Sequence, residues 1–187
     1  MERSCHSMLS DKDIKKLAKR TGLVDPLRDD CLQPASYDVH LGPYFLNTKT
    51  GERHVAWGAR SEFVLPPGEL WLGATLEKFE LPANIAAQVE GRSSWGRLGL
   101  MTHITAGFID PGFVGMITLE LYNVNSSPLI LPTVFDLLLD STGVEPIAQV
   151  SFTKLSSKAR EPYNTKGHYR NPIGPQLSRL KGRVKKQ

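Results

Sequence analysis

The sequence has few cysteines and no long apolar run. Its 187 residues include two cysteines, Cys5 and Cys31, which do not form a C-x-x-C pair. Isolated cysteines indicate free thiols in a reducing compartment rather than a disulfide scaffold. No stretch approaches the roughly 18 apolar residues of a membrane span, and the first residues lack the apolar segment of a secretory signal. We therefore expect a cytoplasmic protein with no membrane partner.

Known metal and nucleotide motifs are also missing. The five histidines lack the H-x-E, P-C-x-x-C and H-E-x-x-H spacings, so the sequence predicts neither a zinc deaminase nor a zinc protease. Walker and Rossmann glycine patterns are absent as well. We interpret His103 as a satisfied structural histidine, since no serine or cysteine nucleophile lies in a recognisable elbow near it. We expect no metal ligands in the chain itself, and if phosphates bind, Mg²⁺ should arrive with them.

The composition is that of one globular domain with an uneven charge. Hydrophobic residues make up 40% and charged residues 22%, as in soluble domains of this length. The net charge is +4, yet residues 154–187 contain ten Lys or Arg and a single acid, Glu161. Such a basic end can be a solvated terminus, a flap over an anionic ligand or a nucleic-acid contact. Nucleic-acid binding is the interpretation that we favour least.

One helix followed by many short strands is predicted. Ser10 begins a capping box, and the apolar spacing after it predicts a helix that ends near Gly22. From residue 36 onward the period falls to two, with polar residues expected outside, and Gly/Pro turns separate the strands. The clearest strand candidates are 69–75, 85–90, 116–124, 129–131 and 147–155. This pattern predicts an all-β sandwich or barrel over residues 1–155, followed by a basic lid or mobile tail over 156–187.

A polar cluster follows the strand 85–90. Gly91 is followed by Arg92, Ser93 and Ser94, and Arg97 comes shortly after. We expect the serines to cap a short helical turn, so that N–H groups, hydroxyls and guanidinium groups converge on a volume suited to phosphate oxygens. The alternative is an ordinary serine-capped turn with surface arginines.

Glu120 is the single charge in a strand-forming run. The alternation of the run places its side chain on the polar face, opposite the aliphatic residues. That polar face consists of Thr118, Glu120 and Tyr122, and the aliphatic face of Ile117, Leu119 and Leu121. A carboxylate aimed from this face into a pocket can transfer protons, whereas one facing solvent has no such role.

An Asp-Pro-Gly turn lies between these two features. It places Asp110 and Phe113 on a rigid corner. There Asp110 could accept a hydroxyl proton, and Phe113 could stack on a sugar or a base.

Four motifs in order resemble the dCTP deaminases of the trimeric dUTPase superfamily. They occupy residues 33–39, 91–94, 105–113 and 117–121, and the likeness runs from about residue 8 to residue 179. The resemblance implies an all-β protomer, a distorted β-barrel of the dUTPase-like (β-clip) type with one N-terminal helix. It also implies a homotrimer with active sites between subunits, and dCTP or dUTP as the substrate with Mg²⁺ bound through the triphosphate.

The resemblance also implies roles for individual residues. Glu120 matches the general base and acid that takes a proton from the water attacking C4 of cytosine, and Ser93 and Arg97 match residues that hold this water. The other matches are substrate contacts: Arg92 and Ser94 for the triphosphate, Asp110 for the 3′-hydroxyl, Phe113 for the sugar, Thr118 and Leu119 along the base, and Gln149 and Tyr163 for further nucleotide contacts. His168, at a lid position, is also expected to contact the substrate.

Two branches of the family differ in how far the reaction proceeds, and the sequence leaves both open. Gly107 and Phe108 resemble the pair in the bifunctional branch, which takes dCTP through dUTP to dUMP and diphosphate. We favour this branch over the one that stops at dUTP and ammonia. A dUTP diphosphatase on the same fold and a non-catalytic dNTP-binding regulator are the alternatives.

Two features depart from the family pattern. His168 and Pro172 stand where the family's lid usually carries a lysine and a glutamine. The sequence therefore leaves open whether the lid binds the triphosphate, although Lys166 and Arg170 could replace the missing contacts. Residues 135–146 look longer than the family's turn between two strands, and we expect a surface excursion there.

Overall fold

Strands dominate the part of the chain that the computed structural model describes, which is residues 7–58, 61–134 and 143–180. The basic end 181–187 and most of the expected excursion, residues 135–142, lie outside the described residues. The strands are β1 (Ser7–Met8), β2 (Val24–Asp25), β3 (Leu32–Gln33), β4 (Ser36–Val39), β5 (Tyr44–Asn47), β6 (Arg53–Val55), β7 (Ser61–Leu65), β8 (Leu70–Glu80), β9 (Ile85–Gly91), β10 (Leu100–Met101), β11 (Phe108–Ile109), β12 (Val114–Asn123), β13 (Leu129–Thr133) and β14 (Ala148–Lys154). The helices are α1 (Asp11–Thr21), α2 (Ser93–Arg97) and α3 (Tyr163–Lys166), with a 3-10 turn at Asp29–Cys31.

Helix α1 has the predicted ends. The Ser10 hydroxyl accepts a hydrogen bond from the N–H of Asp13, and Gly22 ends the helix in the left-handed conformation with φ 71°. The N–H of Gly22 donates to the carbonyl of Ala18, as in a common glycine C-cap. Ile14 and Ala18 are buried against the strands. The prediction of this helix from its capping box is confirmed.

The strands form two antiparallel six-stranded sheets and one antiparallel two-stranded sheet. The first sheet has the order β11-β9-β14-β4-β3, with β1 also on β14. The second has the order β10-β12-β8-β5-β6, with β2 also on β8, and β7 pairs with β13. An isolated antiparallel bridge pairs Leu41, just after β4, with Thr75 of β8. The all-β class is therefore confirmed, although the described strands form a distorted rather than a closed barrel.

Strand β12 shows the alternation that the sequence predicts. Ile117, Leu119 and Leu121 are 5%, 1% and 0% exposed, whereas Glu120 is only partly buried. The Leu119 side chain therefore lies in the core, so only its backbone can face a base. The predicted position of Leu119 along the base is compatible with this burial if the contact is made by its backbone.

Two polar residues of β4 and its continuation are buried, contrary to the period-two reading. Asp38 is 3% and His40 is 2% exposed. Each is buried because it has a partner: Nδ1 of His40 lies 2.7 Å from Oε1 of Glu77, and Asp38 accepts a hydrogen bond from the side chain of Gln33. Alternation alone could not reveal these pairs, because the partners lie on other elements.

The segment after β14 packs against the strands of the same chain. Backbone N–H groups of Ala159 and Tyr163 donate to the carbonyls of Ala83 and Pro111, and the N–H of Met116 donates to the carbonyl of Pro172. The tail expected from the sequence therefore lies along the body as far as the structure describes it. None of the helices in the described ranges has the length and apolar character needed to cross a membrane.

Candidate active site

The carboxylate of Glu120 is held by the loop that follows β10. Strand β10 pairs with the end of β12, so the chain after Met101 returns alongside Glu120. Oε2 of Glu120 accepts hydrogen bonds from the N–H groups of Ile104 at 2.8 Å and Thr105 at 3.4 Å, and its own N–H donates to the carbonyl of Thr102. Backbone donors of this kind stabilise an ionised carboxylate. These two donors could not be predicted from residue types, because they are main-chain groups.

The same loop contains two buried polar atoms without a partner. Among the described residues, Oγ1 of Thr102 and Nδ1 of His103 have no hydrogen-bond partner. The Nε2 atom of His103 lies 3.8 Å from Oε2 of Glu90. The interpretation of His103 as a satisfied structural histidine therefore does not hold for Nδ1.

Glycine is required at position 107 for space. A Cβ atom on Gly107 would lie 2.9 Å from the carbonyl oxygen of Val89 and 3.2 Å from Cε1 of His103. Any side chain at this position would displace the ring of His103, which is next to the loop N–H of Ile104. Phe108, the second residue of the pair, is 65% exposed.

Helix α2 presents its polar side chains to solvent. Ser93, Ser94 and Arg97 are exposed, while Trp95 is buried and donates from Nε1 to the carbonyl of Pro146 at 2.9 Å. The N-cap residue is Arg92, and no side chain caps the helix. The expectation that a serine caps this turn is therefore wrong: both serines lie inside the helix, where their hydroxyls are free to meet a ligand.

Arg92 is surrounded by oxygen atoms. Its NH2 lies 3.7 Å from Oδ2 of Asp38, and its NH1 lies 3.2 Å from Oε1 of Glu145. The carbonyl of Pro146 accepts a further hydrogen bond from NH1 at 3.4 Å. Burial raises the pKa of the Asp38 carboxyl, and the nearby Arg92 charge partly offsets this rise. The sequence reasoning assigned no role at Arg92 to Asp38 or Glu145, which are more than 50 residues away in sequence.

Gln149 lies next to the start of α2. Its Nε2 donates to the carbonyl of Gly91 at 3.3 Å, and its Oε1 accepts from the hydroxyl of Ser36 at 3.0 Å. Its side chain thus joins β14 to the residue before Arg92, near the predicted triphosphate contacts.

The Asp-Pro-Gly corner is formed as predicted and meets the C-terminal segment. The N–H of Phe113 donates to the carbonyl of Asp110, and Gly112 has φ 83°, as a Pro-Gly turn requires. The rings of Phe113 and Tyr163 are 5.9 Å apart, so two predicted substrate contacts lie together. Asp110 and His168 are exposed.

The predicted catalytic residues do not all contact one another within the described chain. In the described part of the chain, Glu120 makes no hydrogen bond or ion pair with Ser93 or Arg97. Strand β10 links α2 to the end of β12, so the two groups lie on connected elements. Nor do the described residues contain a group of three or more His, Cys, Asp or Glu placed to hold a metal ion.

Comparison with known proteins gives one consistent family. The chain is 41% identical over 193 residues to a protein of Dictyoglomus turgidum named dCTP deaminase, dUMP-forming, covering 92% of this chain and 94% of the relative. It is 40% identical over 196 residues to a protein of Natronomonas pharaonis named dCTP deaminase, covering 94% and 95%.

A solved structure supports the fold. The crystal structure of a 2′-deoxycytidine 5′-triphosphate deaminase from Agrobacterium tumefaciens matches with a TM-score of 0.64 at 20% identity. The match covers 80% of this chain and 48% of that one, so the present chain spans about half of its length. The sequence model of the dCTP deaminase-like family matches residues 8–134, and the chain therefore belongs to this family.

Proposed function

We propose that this protein deaminates dCTP and carries the product on to dUMP and diphosphate. The observation that carries the proposal is the position of Glu120, whose carboxylate is held by two loop N–H groups on the polar side of β12. Relatives about 41% identical over most of the chain carry the name of this dUMP-forming activity, and the space-restricted Gly107 is in keeping with that branch.

In the proposed deamination, Glu120 moves protons while water displaces ammonia. Glu120 takes a proton from the water while the oxygen atom of this water forms a bond to C4 of cytosine. Protons are then delivered to N3 and to the amino group, the C4–N bond breaks, and ammonia and dUTP result. Ser93 and Arg97 hold the attacking water and shape the charge around it, because preorganised polar groups stabilise charge that develops at the reacting carbon.

The second proposed step releases diphosphate. Water attacks the α-phosphorus, and the bond from this phosphorus to the oxygen that bridges to the β-phosphorus breaks. Diphosphate leaves with that oxygen, and dUMP keeps the oxygen of the water. Mg²⁺ enters as part of the substrate, bound to the phosphate oxygens, as it usually is with nucleotides. Asp110, exposed on its rigid corner, can bind the 3′-hydroxyl of the sugar and so hold the nucleotide during this step.

The remaining residues contact the substrate at its phosphate end or at its nucleoside end. At the phosphate end, we propose that Arg92 and Ser94 contact the triphosphate, together with His168 from the C-terminal segment. At the nucleoside end we propose ring contacts from Phe113 and Tyr163. Thr118, the backbone of Leu119, and Gln149 complete the set.

We propose that the site is completed by a second protomer of a homotrimer. Ser93, Ser94 and Arg97 are exposed on α2, so they are free to meet the nucleotide held at Glu120 of another copy. Residues 156–187 then act as a lid, and we expect the assembly in the cytoplasm. Size determination in solution, with mixing of Glu120→Gln and Arg97→Ala protomers, tests this: mixed trimers should regain part of the activity that each variant lacks.

Product analysis with dCTP tests the proposed reaction. Ammonia and diphosphate in equal amounts would support both steps, whereas ammonia alone would restrict the function to deamination. Diphosphate from dUTP without ammonia from dCTP would favour the dUTP diphosphatase. Tight binding without either product would favour the regulator, which the loss of the lid glutamine at Pro172 would then explain.

A further inference from the structure

Arg92 lies between two carboxylates that differ in burial. The Asp38 side chain is 5% exposed, and that of Glu145 is 56% exposed. Asp38 also accepts a hydrogen bond from Nε2 of Gln33 at 3.0 Å, whereas the half-exposed Glu145 side chain contacts NH1 of Arg92 at 3.2 Å. A buried carboxylate needs its partner, while an ion pair with a half-exposed one contributes little free energy. Glu145 is therefore the exchangeable partner.

The backbone next to Glu145 is fixed. The carbonyl of Pro146 accepts hydrogen bonds from the buried indole of Trp95 and from Arg92. The N–H of the following Ile147 donates to the carbonyl of Val39 at 2.8 Å. Because two successive residues are held in this way, the end of the 143–146 stretch returns to the start of α2, and Glu145 stays within reach of the guanidinium group.

A carboxylate oxygen and a phosphate oxygen meet a guanidinium group in the same manner. NH1 of Arg92 faces Glu145 while NH2 faces Asp38, so an anionic ligand can replace Glu145 without breaking the contact with Asp38. The inference rests on the proposed function, since it concerns how that site receives the anionic end of its substrate.

We propose that Glu145 occupies the place of a phosphate oxygen on Arg92 and is displaced when the triphosphate binds, while Asp38 is the positioning residue that keeps the guanidinium in place. Glu145 thus competes with the substrate and sets its affinity. It does not touch the reacting atoms, so its effect falls on KM and not on kcat.

Three variants test the two roles. Glu145→Gln removes the charge and keeps the size, and we expect it to lower the Kd for inorganic triphosphate, and the KM for dCTP, by about two- to fivefold with kcat unchanged. Asp38→Asn should raise both constants, because Arg92 loses its anchor. Glu62→Gln is the matched control: it removes the same charge from an exposed position on β7 and should change neither constant.

Titration calorimetry with inorganic triphosphate measures binding without turnover. The inference is overturned if Glu145→Gln leaves its Kd unchanged, if Glu62→Gln lowers it equally, or if Asp38→Asn also lowers it. A tighter Kd in Glu145→Gln, in a protein that releases neither ammonia nor diphosphate, would support the inference and contradict the proposed function. Absence of triphosphate binding in every form would overturn both.

Discussion

The backbone N–H of Ile104 donates a 2.8 Å hydrogen bond to Oε2 of Glu120. This bond, with a longer one from Thr105, orients the carboxylate on the polar side of β12. Because these bonds hold the carboxylate through Oε2, Oε1 is the oxygen to which we assign proton transfer in deamination.

Glu120→Gln should therefore abolish ammonia release while leaving the fold intact. The amide oxygen can still accept from Ile104, but the group cannot take a proton from water. We expect kcat to fall by at least about 100-fold with the Kd for dCTP largely unchanged, measured by an ammonia assay and by calorimetry. Glu62→Gln serves as the control for charge removal. Ammonia release by Glu120→Gln at the native rate would contradict the assignment.

Arg92→Ala should weaken binding of the triphosphate and not of the nucleoside. Loss of charge-assisted hydrogen bonds is expected to cost on the order of 1.5–3 kcal/mol of binding free energy. Calorimetry with dCTP and with deoxycytidine separates the two ends of the ligand, because the nucleoside lacks the phosphates. Equal affinities of native protein and variant for dCTP would mean that this guanidinium points elsewhere.

Local patterns predicted the elements that depend on near neighbours in sequence. The helix bounded by Ser10 and Gly22 is one example, and the Asp-Pro-Gly corner at Asp110 is another, since caps and turns are set within four residues. The polar side of β12 followed from a period of two, which placed Glu120 correctly.

Features that depend on distant partners could not be predicted. Asp38 looked like an outward residue, but its partner Arg92 lies more than 50 residues away, and this pairing allows its burial. The donors to Glu120 are main-chain groups, which any residue type except proline would supply at positions 104 and 105. The expected serine cap failed because the chain enters α2 one residue earlier, at Arg92.

Cys31 should resist alkylation in the folded protein. It is 2% exposed, and burial raises the pKa of its thiol to about 12, so the thiolate is about 10⁻⁴ of the total near pH 8. In a Cys5→Ser variant, iodoacetamide should modify nothing under native conditions and one thiol in guanidinium, as counted by mass spectrometry. Modification of the folded variant at the rate of a free thiol would show that Cys31 is accessible.

The same raised pKa predicts the direction of a pH effect on stability. An unfolded chain releases the thiol proton above about pH 8.5, while the folded chain keeps it until about pH 12. The free energy of unfolding should therefore fall as the pH rises through this window. Cys31→Ala should show a smaller fall in denaturant titrations at pH values on either side of 8.5, whereas equal slopes in both proteins would exclude a contribution from this thiol.

Gly115→Ala should release the C-terminal segment from the body. Gly115 has φ 136°, and a Cβ atom there would lie within 2.4 Å of Cδ of Pro172, so the methyl group and the docked proline cannot coexist. Gly58→Ala is the matched control, because its φ of 121° carries a similar backbone strain and a Cβ atom there would meet nothing nearer than Cβ of Ser61 at 3.9 Å. We expect both variants to lose about 1–3 kcal/mol of stability, but only Gly115→Ala to become sensitive to trypsin after Lys166 or Arg170. Equal protease resistance of the two variants would mean that Pro172 does not hold the segment in place.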